Sequence, residues 1–316
     1  MKALRGILWA AGLGLLLYLF LRLDPAAIWD ALSRVGWSGF GLVLAAGLLL
    51  TACLASGLYP FVSEEASPKL IFAARQVRDS GGDILPFTQM GGMALGMRVL
   101  VLGGIAPARA IAAGVVDVTT ELMAQSLFIL LGIGLAAPAI AADPRLGPYL
   151  GWLVGFTVLF AVAIFGFALF QLAGSHLAEK WLRPHAVGAN AASFRAALHN
   201  LYRQKFRIAL SVILHVMGWC ASGLWLWTVC RALGISLTPA SAIAIQSLLE
   251  GLRSATVFIP AAVGIQEAGY AALVPLFGLA PETGLAISIL RRARDVAIGV
   301  PVLLIWQMVE ARRAGR

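Results

Sequence analysis

Apolar residues along this chain gather into long runs separated by short polar breaks, and the length of each run limits what it can form. A helix rising 1.5 Å per residue needs about 20 mainly apolar residues to cross the hydrocarbon of a bilayer. Six stretches meet that requirement, near residues 4–21, 37–60, 108–135, 149–172, 208–230 and 283–309, and each predicts a crossing helix. Two more, 66–103 and 238–280, are apolar but broken near their middles by proline, glycine and charge. Irregular backbone at membrane depth is tolerated only where protein or a water-filled cavity surrounds it. These two stretches therefore predict helical hairpins that enter and leave on one side, inside the bundle. The expected fold class is an all-α integral membrane protein with about six crossing helices and two re-entrant helical hairpins arranged as an inverted-topology repeat.

Composition agrees with that pattern. Of 316 residues, 60% are hydrophobic and 12% charged, with a mean hydropathy of +0.88; soluble globular chains carry about one-quarter charged residues. The net charge of +9 reads as an orientation signal, because most of the lysines and arginines fall in short connections. No basic, aromatic-interleaved patch suited to nucleic acid is present, so none is expected as a partner. Cys53, Cys220 and Cys230 lie in apolar runs without metal spacing and read as buried thiols. The opening MKALRGILWAAGLGLLLYLF resembles a signal peptide but lacks an A-x-A site, so it reads as a retained first crossing.

Charge sets the orientation. Lys2 and Arg5 precede the first run; residues 174–207 carry Lys180, Arg183, Arg195, Arg203, Lys205 and Arg207 against Glu179; the tail holds Arg312, Arg313 and Arg316. All three regions are expected in the cytoplasm. Within 174–207, FRAALHNLYRQKF places Phe194, Ala197, Leu198 and Leu201 on one face, as in an interfacial helix against anionic lipid. The chain reads as one transmembrane domain over 1–316, with a first repeat of about 1–138 and a second of about 149–310.

The repeat shows as self-similarity. An offset of 174 residues places Pro86 on Pro260, Gly104 on Gly278, Pro107 on Pro281 and Glu121 on Asp295 without a gap. Three crossings separate equivalent points, which inverts the second half, and such transporters bind substrate near the midplane where broken helices meet.

The run LRRARD (290–295) lies between GLAISI and VAIGVPVLLIW. One arginine at the centre of a spanning helix costs about 2.5–3.5 kcal/mol on insertion scales, whereas a large apolar residue returns only about 0.3–0.6. Arg291, Arg292, Arg294 and Asp295 occupy an arc of roughly 160° on one side of a helix, which should face the bundle interior. Asp117 and Glu121 lie one turn apart, where like charges repel unless a cation or proton intervenes. Glu250 and Arg253 fall in the first arm of the second hairpin, and Glu267 follows the break at Pro260 and Gly264. The expectation is one polar cavity in which Arg291, Arg294 and Asp295 oppose Glu267 and Asp117. The competing reading is a set of ion pairs that only fix helix packing. His176, His185 and His199 read as interfacial and His215 as a packed imidazole; no metal or cofactor site is expected. Phosphate-loop, dinucleotide and zinc-protease motifs are missing from the sequence, which argues against ATP-driven pumping by this chain.

The stretches ILPFTQMGG (84–92), VVDVTTELMAQ (115–125), IPAAVGIQEAGYAAL (259–273) and ILRRARDVAIGVPVLLIWQ (289–307) resemble the flippase-like transmembrane domain of lysylphosphatidylglycerol synthases. Within it they are most similar to a stand-alone branch, the hopanoid-biosynthesis-associated membrane proteins. The resemblance implies a bacterial inner-membrane protein that moves a lipid, a hopanoid or an anionic phospholipid, between leaflets. By position it carries over Pro260, Gly264, Glu267, Arg291, Arg292, Arg294 and Asp295, with Pro86, Gln89, Gly91 and Gly92 at the first break. Two departures stand out. Ala261 and Ala262 replace glycines usual after the second proline, and Met93 stands where members often carry an acid. The chain stops at Arg316 without a lysyl-transferring domain, so no enzyme activity is expected. Three classes compete: lipid translocation, ion-coupled transport of a small anionic solute, and an intramembrane transferase, for which no nucleophile or metal cluster stands out. A lateral opening between helices would favour lipid, and a cavity closed to the bilayer the soluble anion.

Overall fold

The computed structural model describes residues 25–84, 89–181, 189–256 and 262–314. The expected crossing at 4–21, the tail arginine Arg316, and the prolines Pro86 and Pro260 lie outside these residues, as do the side chains of His176 and His185. Helices make up nearly all of the described chain, and no strand occurs among the described residues. In order they are α1 (Pro25–Ala55), α2 (Pro68–Ile84), α3 (Gln89–Leu102), α4 (Pro107–Ala142), α5 (Leu150–Trp181), α6 (Ala189–Arg203), α7 (Lys205–Ala232), α8 (Pro239–Ala255), α9 (Ile265–Leu273) and α10 (Pro281–Ala314).

Four stretches among the described residues are long and apolar enough to cross a membrane: Ser33–Val62, Pro107–Ala142, Gly147–Gly166 and Lys205–Ala232. They match the expected runs at 37–60, 108–135, 149–172 and 208–230. Helix α10 has 34 residues, more than enough to span, but carries the LRRARD charges in its first half. At Gly36, φ 58° and ψ 179° break the helical path of α1, a conformation that suits glycine. Proline is the first residue of α2, α4, α8 and α10. At that position its missing N–H costs nothing, because the first-turn amides have no helical partner. The prolines thus start the first arm of each broken stretch and the long helix that follows that stretch.

Both broken stretches fold back on themselves. Gly92 lies against Arg78 and Gly82, Gly96 against Ala74, and Gly103 against Leu70, so α2 and α3 run antiparallel. In the second, Gly269 packs on Leu249 and the Tyr270 hydroxyl bonds to Gln246, which pairs α9 with α8. Arms of 17 and 14 residues in the first stretch reach about 25 and 21 Å, short of a hydrocarbon core of about 30 Å.

Two large apolar cores and a smaller one around Ala136, Ile140 and Ala244 lie among the described residues. Phe61, Ile71, Leu100, Val116 and Leu201 centre one, built from the short helix Tyr59–Val62 together with α2, α3, α4 and α6. Val43, Leu226, Ile245, Leu249, Tyr270 and Ile287 centre the other, built from α1 and α7 to α10. Outside, Trp152, Phe156, Leu159, Ile213, Met217 and Leu304 are exposed. Apolar surface on this scale would be an aggregation liability in water and is ordinary against acyl chains.

Candidate functional site: a charged cavity behind a bare helix

Helices α2 and α4 pair charges with one another. Arg75 donates through Nη2 to Glu121 Oε1 at 2.7 Å and through Nε to Asp79 Oδ2 at 2.9 Å. Arg78 spans both acids of α4, reaching Asp117 Oδ2 at 3.0 Å and Glu121 Oε2 at 2.5 Å. His215 Nε2 lies 3.0 Å from Asp117 Oδ1. The repulsion expected between Asp117 and Glu121 is therefore relieved by two guanidiniums from α2. Contrary to expectation, Asp117 does not face LRRARD, because both of its oxygens are already engaged within this cluster.

The second half is organised by Glu250. Its Oε1 accepts from Gln246 Nε2 at 3.0 Å, Arg253 Nη1 at 3.1 Å and Arg291 Nη2 at 3.2 Å. Arg291 also donates to the Tyr270 hydroxyl at 3.3 Å, which in turn donates to Gln246 Oε1 at 2.9 Å. Arg253 approaches Asp83 of α2 at 3.7 Å, an ion pair that joins the two sides of the cavity described below. Arg294 pairs with its neighbour Asp295 and lays its guanidinium 4.3 Å from the Trp225 ring centre. The arginine stem lies where a Cβ on Gly47 would stand, so a glycine in α1 leaves it room.

Glu267 and Arg292 take a different role. Glu267 Oε2 accepts from the Gly264 amide at 2.8 Å and caps α9; its Oε1 accepts from Arg292 Nε at 3.1 Å and Ser288 at 3.2 Å. Neither Glu267, Arg292 nor Gly264 lines the cavity described below. The expectation of Glu267 opposite Arg291 and Arg294 is corrected accordingly: it pins the backbone after the second break to α10. Ala262, which follows the second break, adopts φ 47°. A left-handed alanine is strained by about 1 kcal/mol. Ala262→Gly is expected to raise thermal stability by a similar amount, measurable as a higher Tm in detergent.

A cavity of about 470 Å³ lies where these groups meet. Arg75, Arg78, Arg253, Arg291 and Arg294 line it with Asp79, Asp83, Glu121, Glu250 and Asp295, five of each sign. Asp117, Gly91 and Gly92 are absent from this wall; Gly91 and Gly92 lie in the first turn of α3, with Gly92 wedged against α2. Beside it is a second chamber of about 370 Å³, largely apolar, where Met90, Met93 and Met97 of α3 face Leu54 of α1 and Leu122 of α4. Arg75, Arg78 and Met93 belong to both walls.

Among the residues lining the charged cavity is Phe160 of α5. This helix packs chiefly on α4, and only 6% of its apolar stretch Gly147–Gly166 is buried, against 33–50% in the other three crossing stretches. A polar cavity is thus lined in part by the least buried of the four crossing stretches described.

Asp117, Glu121 and His215 also fall within metal-ligand range of one another. All four carboxylate oxygens there already face a guanidinium or imidazole nitrogen, so a cation would have to displace two arginines. Sequence reasoning missed Arg75 and Arg78, although their spacing in R-x-x-R-D sets both charges on one side of a helix inside an apolar stretch. It also missed Gln246 and Tyr270, which carry no charge to draw attention.

Comparison with curated proteins and with solved structures gives no match. The family model described as the lysylphosphatidylglycerol synthase TM region matches residues 5–302, nearly the whole chain and both charged halves of the cavity, and the chain belongs to this family.

Proposed function

We propose that this protein moves a membrane lipid between leaflets, with the polar head passing through the charged cavity while the tail stays in hydrocarbon, and with no covalent step. The observation that carries this reading is Phe160: a cavity lined by ten ionic side chains reaches a residue of α5, whose apolar stretch is the least buried of the four crossing stretches described. Ionic groups at membrane depth are costly unless they serve a path or a partner. The apolar chamber sharing the Arg75 and Arg78 wall adds a surface suited to a hydrocarbon chain. A phospholipid or a hopanoid fits the family's lipid context, and a bacterial inner membrane is its place. Ion-coupled uptake of a small anion calls for unpaired cations shut off from lipid, whereas each arginine of this wall has a carboxylate partner.

In this reading the two broken stretches are re-entrant hairpins related by an inverted repeat. Supporting it, Gly104 and Gly278 both adopt positive φ, and Pro107 and Pro281 both open long helices, each pair 174 residues apart. Both termini and the 174–207 segment lie in the cytoplasm. A cysteine placed at Arg195 in a background free of native cysteines should label only from that side, and labelling from outside would overturn the topology.

Translocation is tested in vesicles of phosphatidylcholine and phosphatidylglycerol carrying a trace of headgroup-fluorescent lipid. Protein should speed exposure of the inner-leaflet probe, and Arg294→Ala should slow it about tenfold, the effect of losing roughly 1.4 kcal/mol of head-group interaction. Phe156→Ala, on the lipid side of α5, should behave as wild type. Equal rates with and without protein would sink the proposal.

A further inference from the structure

We propose that the methionine-lined chamber beside the charged cavity holds one acyl chain of the transported lipid and selects that chain by its shape. The inference rests on the lipid-translocation reading and deepens it, because it gives the chain a seat inside the protein. The chamber, of about 370 Å³, runs along α3, where Met90, Met93, Met97 and Leu100 recur at helical spacing on one face. Met90 is 76% exposed and Leu100 1%, so this stripe leads from an open mouth to a closed end. A helical rise of 1.5 Å per residue makes the path from Met90 to Leu100 about 15 Å long.

The chemistry of the wall decides what fills it. Thr119 donates to the Val115 carbonyl at 2.9 Å, and Asp117 is held by Arg78 and His215, each at 3.0 Å. Away from Arg75 and Arg78, the wall offers an occupant hydrocarbon and thioether. Water needs two to four polar partners to stay in a cavity, so this one favours a hydrocarbon. At about 30 Å³ for a water-sized group, it takes roughly a dozen methylenes. Leu54, Met93, Val118 and Leu122 belong to both chambers, together with Arg75 and Arg78. An ionic chamber and an apolar one with a shared wall match an amphiphile, its head in the first and a chain in the second. One chain of a two-chain lipid lies along α3, and its second chain leaves past Phe160.

Inside a bilayer, a chain that enters the chamber exchanges one apolar surrounding for another, so fit and not hydrophobic transfer sets the preference. Methionine suits that task, being unbranched, polarisable and able to adapt to a flexible chain. A fused-ring skeleton cannot bend to follow the stripe. Gly114 of α4 sets the depth. A Cβ there would stand 2.8 Å from both Cγ and Sδ of Met97, so the glycine lets that side chain lie back against α4. The three atoms nearest to the added Cβ all belong to this flexible side chain. Gly114→Ala therefore drives Met97 into the chamber and shortens it while the helices stay in place.

The test uses the full chain in nanodiscs of phosphatidylcholine and phosphatidylglycerol with a trace of a photoreactive phosphatidylglycerol. One of its chains is about twelve carbons long and ends in a small diazirine. After illumination, peptide mass spectrometry should place the label on α3 between Met93 and Leu100. A probe with the same head but a bulky adamantyl diazirine at the chain end should label α3 at least about tenfold less, the effect of roughly 1.4 kcal/mol. Gly114→Ala should lower labelling by the straight probe at least about threefold, roughly 0.7 kcal/mol, with Tm near that of wild type. Met97→Phe fills the same space from the other side and should do likewise, so it decides the matter if Gly114→Ala does not fold. Equal labelling of α3 by the bulky probe, undiminished labelling in either folded variant, or label confined to the exposed face of α5 overturns the chamber. So does an alkyl diazirine without a head that labels α3 as well as the lipid does, the mark of an adventitious hydrocarbon only. Label on α3 in vesicles that move no lipid would leave the chamber standing and defeat the translocation reading; lipid movement without label on α3 would do the reverse.

Discussion

Glu250→Ala should be among the most destabilising single substitutions in the cavity, lowering stability by about 3–5 kcal/mol. One oxygen of Glu250 receives Gln246, Arg253 and Arg291, so its removal strands two guanidiniums at once. What remains to them is weak: Asp83 at 3.7 Å for Arg253, and the Tyr270 hydroxyl at 3.3 Å for Arg291. The reverse deletion is buffered. After Arg291→Ala, Glu250 still has Arg253 and Gln246, and the expected loss is about 1.5–3 kcal/mol, that of a hydrogen bond to a charged group. Thermal unfolding of both variants in one detergent gives the ordering directly. If Arg291→Ala costs as much as Glu250→Ala, the carboxylate is not the hub described here.

The second large effect is expected at a glycine. A Cβ on Gly92 would stand 2.3 Å from the Arg78 carbonyl oxygen and 2.8 Å from the Gly82 amide nitrogen. Both are backbone atoms, which cannot swing aside as a side chain does. Gly92→Ala must therefore push α3 from α2, at about 1–3 kcal/mol for overpacking. Because α2 carries Arg75 and Arg78, the shift also pulls apart the pairs with Glu121 and Asp117 and lowers lipid movement along with stability. Gly134→Ala is the control: nothing lies within 4 Å of its added Cβ, and alanine favours the helix there. Equal stability of the two variants would show that the α2–α3 seam has slack.

The fold was legible in the sequence to the extent that it depends on periodicity and length. Apolar runs of crossing length at 108–135 and 208–230 became α4 and α7, and the breaks in 66–103 and 238–280 became chain reversals. Prolines and glycines act locally, so they can be read locally. Ion pairing cannot, because it depends on which helices become neighbours. Asp117 and Arg291 share a position in the repeat, yet each is neutralised within its own half, by Arg78 and Glu250. Glu267 looked like a substrate ligand from its motif and proves to be a helix cap, since the residue three positions into a helix can reach back to the amide at its start. His215 shows the same limit: nothing nearby in sequence reveals that Asp117 lies 3.0 Å away.

The central claim is that the charged cavity receives a lipid head from the side of α5, and the most direct measurement is an experimental structure of the full chain in lipid nanodiscs. The account expects density for one lipid with its head among Arg253, Arg291 and Arg294 and its tail leaving past Phe160 toward the bilayer. A cavity sealed from the bilayer by α5 packed along its whole length, holding only water or a small anion, would contradict it.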